Sequence, residues 1–270
     1  MKPWMAAYLI SIATACCIFF LVGGLPAGKR FTKKDAYRYF KKFGYMKMSD
    51  DENSNVTFRR SVEKVQKFAG ANQTGDLNDE TINLLMTPRC QNPDVFEKKN
   101  RTKRFLLAEP WPSTNLTYKL ANYPNKTINL TNSGIDKIIR NSLATWAIYA
   151  PKLSFSLISS TSSRKAVINL KFARLDHGDG SSFDGPGGVL AHAFYPTDGE
   201  VHFDADESWS TATNSGANFD WVAIHEIGHA LGLDHSSVKG SIMYPYYTGF
   251  KANLTLSLDD IAGIQELYPV

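Results

Sequence analysis

Apolar residues recur three and four apart in three stretches of the first third of the chain. Residues 34–43 carry Tyr37, Phe40 and Phe43, residues 61–68 carry Val62, Val65 and Phe68, and residues 79–86 carry Ile82, Leu85 and Met86. That spacing predicts three short amphipathic helices. Polar, turn-rich pieces at 50–55 and 70–75 separate them. From Phe105 onward the pattern mixes. Residues 116–120, 153–157, 166–172, 189–194 and 200–204 read as strands. Residues 135–149 form a helical stripe of Ile135, Ile138, Ile139, Leu143 and Trp146, with Asn132 or Ser133 as its cap. Residues 219–231 and 257–268 complete the set, the last opening on a Ser-x-x-Asp capping pattern. The order predicts an α+β domain preceded by a small three-helix domain that ends at Pro88-Arg89-Cys90.

The extreme N-terminus stands apart from both. Lys2 precedes an apolar run over residues 5–22, and Gly23-Gly24-Leu25-Pro26-Ala27-Gly28 follows. This is the form of a secretory signal peptide, cleaved near residues 24–28. An uncleaved membrane anchor is the rival reading, because ~18 apolar residues reach the lower limit for a span. Seven Asn-x-Ser/Thr sequons, at Asn55, Asn72, Asn100, Asn115, Asn125, Asn129 and Asn253, agree with export. Removal of Cys16 and Cys17 with the signal leaves Cys90 as the one thiol of the exported chain. A secreted thiol with no disulfide partner needs another reason, and metal binding supplies one. A net charge of +4 with scattered lysines and arginines does not indicate nucleic acid. Residues 95–104 are a charged linker ending Arg101-Thr102-Lys103-Arg104. Between two predicted domains it reads as a convertase site cut after Arg104; a solvated charge run is the plain alternative.

The chemistry is concentrated in Trp221-Val-Ala-Ile-His225-Glu226-Ile-Gly-His229-Ala-Leu-Gly232-Leu-Asp-His235. Histidines four apart lie one above the other on a helix, so both imidazoles can reach one metal ion. Gly232 can end the helix and swing His235 round as a third ligand. Three protein ligands suit a catalytic zinc, which keeps its fourth position open. Glu226, next to His225, is the candidate general base for a water there. The extended pattern is demanding and is that of the metzincins, which also calls for a downstream methionine turn. Ser241-Ile242-Met243-Tyr244-Pro245 supplies one. Upstream, His177, Asp179, His192 and His202 offer four ligands for a closed, structural zinc site. The loop 184–189, with Asp204 and Glu207, offers hard oxygens that suit calcium, although a glycine-rich loop with solvated acids fits the same residues.

From about residue 32 to the C-terminus these motifs together resemble the matrix metalloproteinase family, in a minimal form without a hemopexin-type propeller domain. The resemblance implies a metzincin-type catalytic domain at 105–270 with a twisted, mostly parallel five-stranded sheet and three helices. It also implies a signal peptide at 1–27 and a propeptide at 28–104. The segment Pro88-Arg89-Cys90-Gln91-Asn92-Pro93-Asp94 resembles the family's cysteine switch, in which Cys90 would occupy the open zinc position. Arg104 and Phe105 would flank the activation cut, and the Phe105 ammonium would pair with Asp259. Asp184, Gly185, Gly187, Val189, Asp204 and Glu207 match one calcium site. Val189–Phe194 resembles an edge strand that pairs antiparallel with an extended substrate through Leu190 and Ala191, while Pro245, Tyr246 and Tyr247 resemble the pocket wall. A secreted, monomeric endopeptidase follows, acting on extracellular proteins, activated by a proprotein convertase and inhibited by tissue-inhibitor-type proteins.

Four departures qualify the match. Gln91 stands where a glycine usually follows the switch cysteine, so a looser or differently bent inhibitory loop is expected. The loop from Pro196 to Val201 is shorter than usual, which argues against a second calcium site. Trp221 lies where the specificity pocket is lined, and an indole there would make that pocket shallow. Without a propeller domain, intact triple-helical collagen is not an expected substrate.

Overall fold

In the computed structural model, residues 30–96, 108–211 and 215–269 are described. The apolar N-terminal run, the 101–104 basic cluster and Phe105 lie outside them. No helix among the described residues is long and apolar enough to cross a membrane.

The N-terminal part holds α1 (Lys33–Lys42), α2 (Asn55–Phe68) and α3 (Asp79–Leu85). Thr32 and Asp35 form a capping box at the start of α1. The second helix begins at Asn55, six residues before the apolar stripe predicts. The Ser54 hydroxyl accepts from the Thr57 amide and caps a first turn whose Phe58, four residues before Val62, already packs on Tyr37 and Phe40. Tyr37, Phe40, Phe43, Val62, Val65 and Leu85 pack into a second, smaller core, which Tyr244 and Tyr246 also enter.

Two residues of the following segment, β1 (Arg89–Cys90), join the main sheet. Its other strands are β2 (Asn115–Leu120), β4 (Ser154–Leu157), β5 (Ile168–Ala173), β6 (Val189–Ala193) and β7 (Glu200–Asp204), in the order β1-β6-β7-β5-β2-β4. All pairings are parallel except β6 with β7. The expected five strands are therefore present, and the sixth is the N-terminal segment laid along the β6 edge. Short strands β3 (Thr127–Ile128), β8 (Trp209–Ser210) and β9 (Ala217–Asn218) make a second sheet. At two residues each they are too short to show a period-2 pattern.

Two helices, α4 (Asn132–Tyr149) and α5 (Phe219–Ala230), pack against each other, and α6 (Leu258–Leu267) packs on α4. Thr131 caps α4, ahead of both expected candidates, Asn132 and Ser133; its hydroxyl accepts from the Gly134 amide. Ser257 and Asp260 form the capping box expected of α6. Asp260 does more than cap. Its buried carboxylate also accepts from Ser241 Oγ and from the amides of Ile242 and Met243, which ties the methionine turn to α6.

Close approach of these pieces depends on Gly228 in α5. A Cβ there would overlap Met243 Sδ and stand 2.9 Å from Trp146 Cζ2, whose ring is fully buried and anchored by Nε1 on the Ile224 carbonyl. Gly228→Ala is therefore expected to lower stability by ~1–3 kcal/mol, the usual cost of overpacking. Urea unfolding followed by tryptophan fluorescence measures it, and an unchanged midpoint would contradict the packing argument.

Candidate metal centre

Asn218 starts α5 by accepting from the Trp221 amide, and Gly232 ends it. The Gly232 amide donates to the His229 carbonyl and the Leu233 amide to the Gly228 carbonyl, a Schellman pair. Gly232 has φ +107, which a side chain would strain. This turn carries His235 back over the helix. The Nε2 atoms of His225 and His229 lie 3.2 Å apart, and those of His225 and His235 3.3 Å apart. Cys90 Sγ is 3.5 Å from His229 Nε2. Tetrahedral zinc, with nitrogens at ~2.0–2.1 Å and sulfur at ~2.3 Å, needs ligand separations of ~3.3–3.6 Å. The four donor atoms fit.

Each imidazole is also oriented for metal. His225 Nδ1 donates to the Ile242 carbonyl at 2.6 Å, His229 Nδ1 to the Leu233 carbonyl at 2.6 Å, and His235 Nδ1 to Asp94 Oδ1 at 2.7 Å. With the proton fixed on Nδ1, the Nε2 lone pairs face one another. Burial, with the neighbouring histidines, pushes His225 and His229 well below the ordinary imidazole range, so both are neutral donors. Glu226 is buried against the Cys90 thiol. Burial pushes it up to about 8 despite the Cys90 hydrogen bond; a divalent cation on the adjacent histidines acts in the same lowering direction as that bond.

The second cluster closes around Asp179. Its Oδ2 lies 2.8 Å from His177 Nε2, 2.8 Å from His192 Nε2 and 2.7 Å from His202 Nδ1. Burial opposes the Asp179 charge, but the Ser181 amide and the histidines hold the carboxyl well below the usual range. Burial takes His192 and His202 down to about 4. Four converging donors suit a closed zinc site. Leu175, with φ +43, turns its carbonyl toward His177 Nδ1 at 2.8 Å and so fixes that ring.

The segment around Cys90 fills the groove beside these histidines. The Arg89 amide donates to the Gly188 carbonyl, Cys90 to Pro245 and Gln91 to Ala191, while the Tyr247 amide donates to Pro88. The Asn92 side-chain amide continues the ladder, pairing both ways with Ala193 at 2.8 and 3.1 Å. Leu190, Ala191, Pro245, Tyr246 and Tyr247 are thus brought together around the cysteine. Gln91 keeps its strand bond to Ala191 without the left-handed backbone a glycine allows. Two residues escaped the sequence reading. Arg89 and Asp94 form a buried ion pair at 2.5 Å, with the guanidinium 3.6 Å from the Phe43 ring centroid. Their signal was present as opposite charges flanking Cys90.

Residues 110–269 match the family described as Matrixin. The chain is 39% identical to a matrilysin of Rattus norvegicus over 239 residues, covering 87% of this chain and 85% of the relative. It is 41% identical to a hatching enzyme of Paracentrotus lividus over 231 residues, covering 85% of this chain and 38% of that one. It is also 38% identical to a human neutrophil collagenase over 255 residues, covering 90% of this chain and 51% of that one.

The chain belongs to the matrixin family. Matrixins are zinc metalloendopeptidases, and both clusters of this matrixin have the donor sets and orientation of zinc sites. The Asp184 region lacks such a cluster. Asp184 Oδ1 accepts from the Val189 amide and Glu207 Oε1 from the Gly187 amide, whereas Asp204 Oδ2 is buried with no partner. Asp259 accepts from Ser236 Oγ at 2.6 Å.

Proposed function

We propose that this matrixin is a secreted endopeptidase of extracellular proteins, held latent by residues 28–104 and released by a proprotein convertase cut between Arg104 and Phe105. Residues 1–27 would be its signal peptide and 105–270 its catalytic domain. The observation that carries the reading is Cys90 Sγ at 3.5 Å from His229 Nε2, at the corner of the three-histidine cluster where a substrate or water would otherwise enter.

His225, His229 and His235 would hold the zinc, which supplies Lewis acidity toward a water and the scissile carbonyl. Once the 88–92 segment leaves, the β6 edge offers the carbonyls and amides of residues 189–193 to an extended peptide. That peptide is expected to run antiparallel to β6, opposite in direction to β1. Leu190 and Ala191 would hold its backbone on one side and residues 245–247 on the other. Glu226 then takes a proton from the attacking water and returns it to the leaving amine. The new Phe105 ammonium would pair with Asp259. Tissue-inhibitor-type proteins would enter the same groove. Calcium would bind Asp184, Asp204 and Glu207 with the carbonyls of Gly185, Gly187 and Val189. In support, burial and crowding by neighbouring acids push Asp204 up to about 6 and Glu207 up to about 7, a repulsion that a cation relieves.

Cleaving the chain after Arg104 and assaying a quenched peptide with and without a zinc chelator tests the proposal. Activity that survives chelation would refute it. Specificity gives a separate test. The Trp221 indole is buried between His225 and Tyr247, with ring centroids 5.0 and 5.6 Å away. Trp221→Leu is expected to improve cleavage after which a long, homophenylalanine-type side chain follows, relative to leucine, by ~10-fold or more. An unchanged ratio of kcat/KM values would show that the indole does not limit the pocket.

A further inference from the structure

The three histidines of the first cluster differ in where their outer partners come from. His225 and His229 donate Nδ1–H to the carbonyls of Ile242 and Leu233, within the catalytic part of the chain. His235 donates to the carboxylate of Asp94, which lies beyond Cys90 in the N-terminal segment. Asp94 is fully buried and its charge is fully engaged. Oδ1 and Oδ2 meet Arg89 at 2.5 and 2.9 Å, and Tyr45 Oη donates to Oδ2 at 2.6 Å. The arrangement is a carboxylate–histidine pair aimed at the metal position. Such a partner fixes the ring and makes its free nitrogen a stronger ligand.

We propose that Asp94 is a positioning residue for the catalytic zinc, so that the N-terminal segment tightens zinc binding through His235 as well as through Cys90. Removal of that segment takes away two supports at once, the thiolate and the carboxylate behind His235. The uncleaved enzyme therefore binds zinc more tightly than the mature one, by more than the loss of Cys90 explains. This inference rests on the zinc reading above and adds a contribution that acts through a ligand.

The test is equilibrium competition with a chromophoric chelator on the full-length, uncleaved protein, with two zinc equivalents followed separately. Asp94→Asn keeps the shape and loses the charge. It is expected to weaken the catalytic site ~10–100-fold, the usual cost of losing an outer partner. The His177–Asp179–His192–His202 site, which Asp94 does not touch, serves as internal reference. Equal weakening of both sites would mean general loosening and overturn the proposal, as would an unchanged first site. Should Asp94→Asn not fold, Cys90→Ser uncleaved protein is compared with the mature enzyme. The proposal expects the uncleaved variant to bind catalytic zinc more tightly, and equal affinities reject it. Wild-type protein that binds no zinc at the first cluster would instead sink the parent reading.

Discussion

Replacing Glu226 with alanine in the mature enzyme is expected to lower kcat/KM by ~10²–10⁴ while both zinc ions stay bound. The argument is positional. Glu226 shares the α5 turn with His225 and is buried against the Cys90 thiol, which fills the place a water must take once the N-terminal segment leaves. Its Oε2 is buried with no partner, and its hydrogen bond to the Cys90 thiol goes when the N-terminal segment leaves. Removing it relieves a desolvated acid, and stability should hold or rise. A pure loss of turnover with unchanged zinc content and unchanged unfolding midpoint is therefore expected. Peptide kinetics beside zinc analysis checks it, and a variant that loses zinc, or one that keeps full turnover, would remove Glu226 from the base role.

Much of this site could be read from the sequence because its parts are local. His225, Glu226 and His229 share one helix face, and Gly232 marks where that helix must end, so spacing alone predicts their meeting. The second cluster was legible as a set of residue types, although His177 and His202 converge only through the β5–β7 and β6–β7 pairings. What spacing could not show are partners chosen by tertiary packing. Asp260 was expected as a helix cap and also anchors the methionine turn. Asp94 reaches His235 across the groove, and the Asn92 side chain stands in for a backbone amide. Tyr244 and Tyr246 pack into the N-terminal core through Ala69 and Tyr39, a contact between chain segments far apart in sequence. None of these follows from periodicity, because each depends on how segments apart in the sequence dock in the fold.

That docking sets the size of the last effect. Cys90→Ser in the uncleaved protein is expected to raise peptidase activity ~30-fold or more over wild type, and still to leave it below the cleaved enzyme. The lower bound follows from losing a desolvated partner of a charged site, which costs ~2–5 kcal/mol and shifts the open population accordingly. The upper bound follows from what remains. The Arg89–Asp94 pair, the bonds of residues 88–92 to Gly188, Ala191, Ala193 and Pro245, and the Tyr39–Tyr246 contact do not involve the thiol. They keep the groove covered most of the time even when the zinc is free. Initial rates on a quenched peptide, with Arg104→Ala added to block cleavage, separate this leak from activation. A double variant as silent as the wild-type precursor would mean that steric cover alone maintains latency. One as active as the cleaved enzyme would mean that the thiol does nearly all of it and that the strand pairing contributes little.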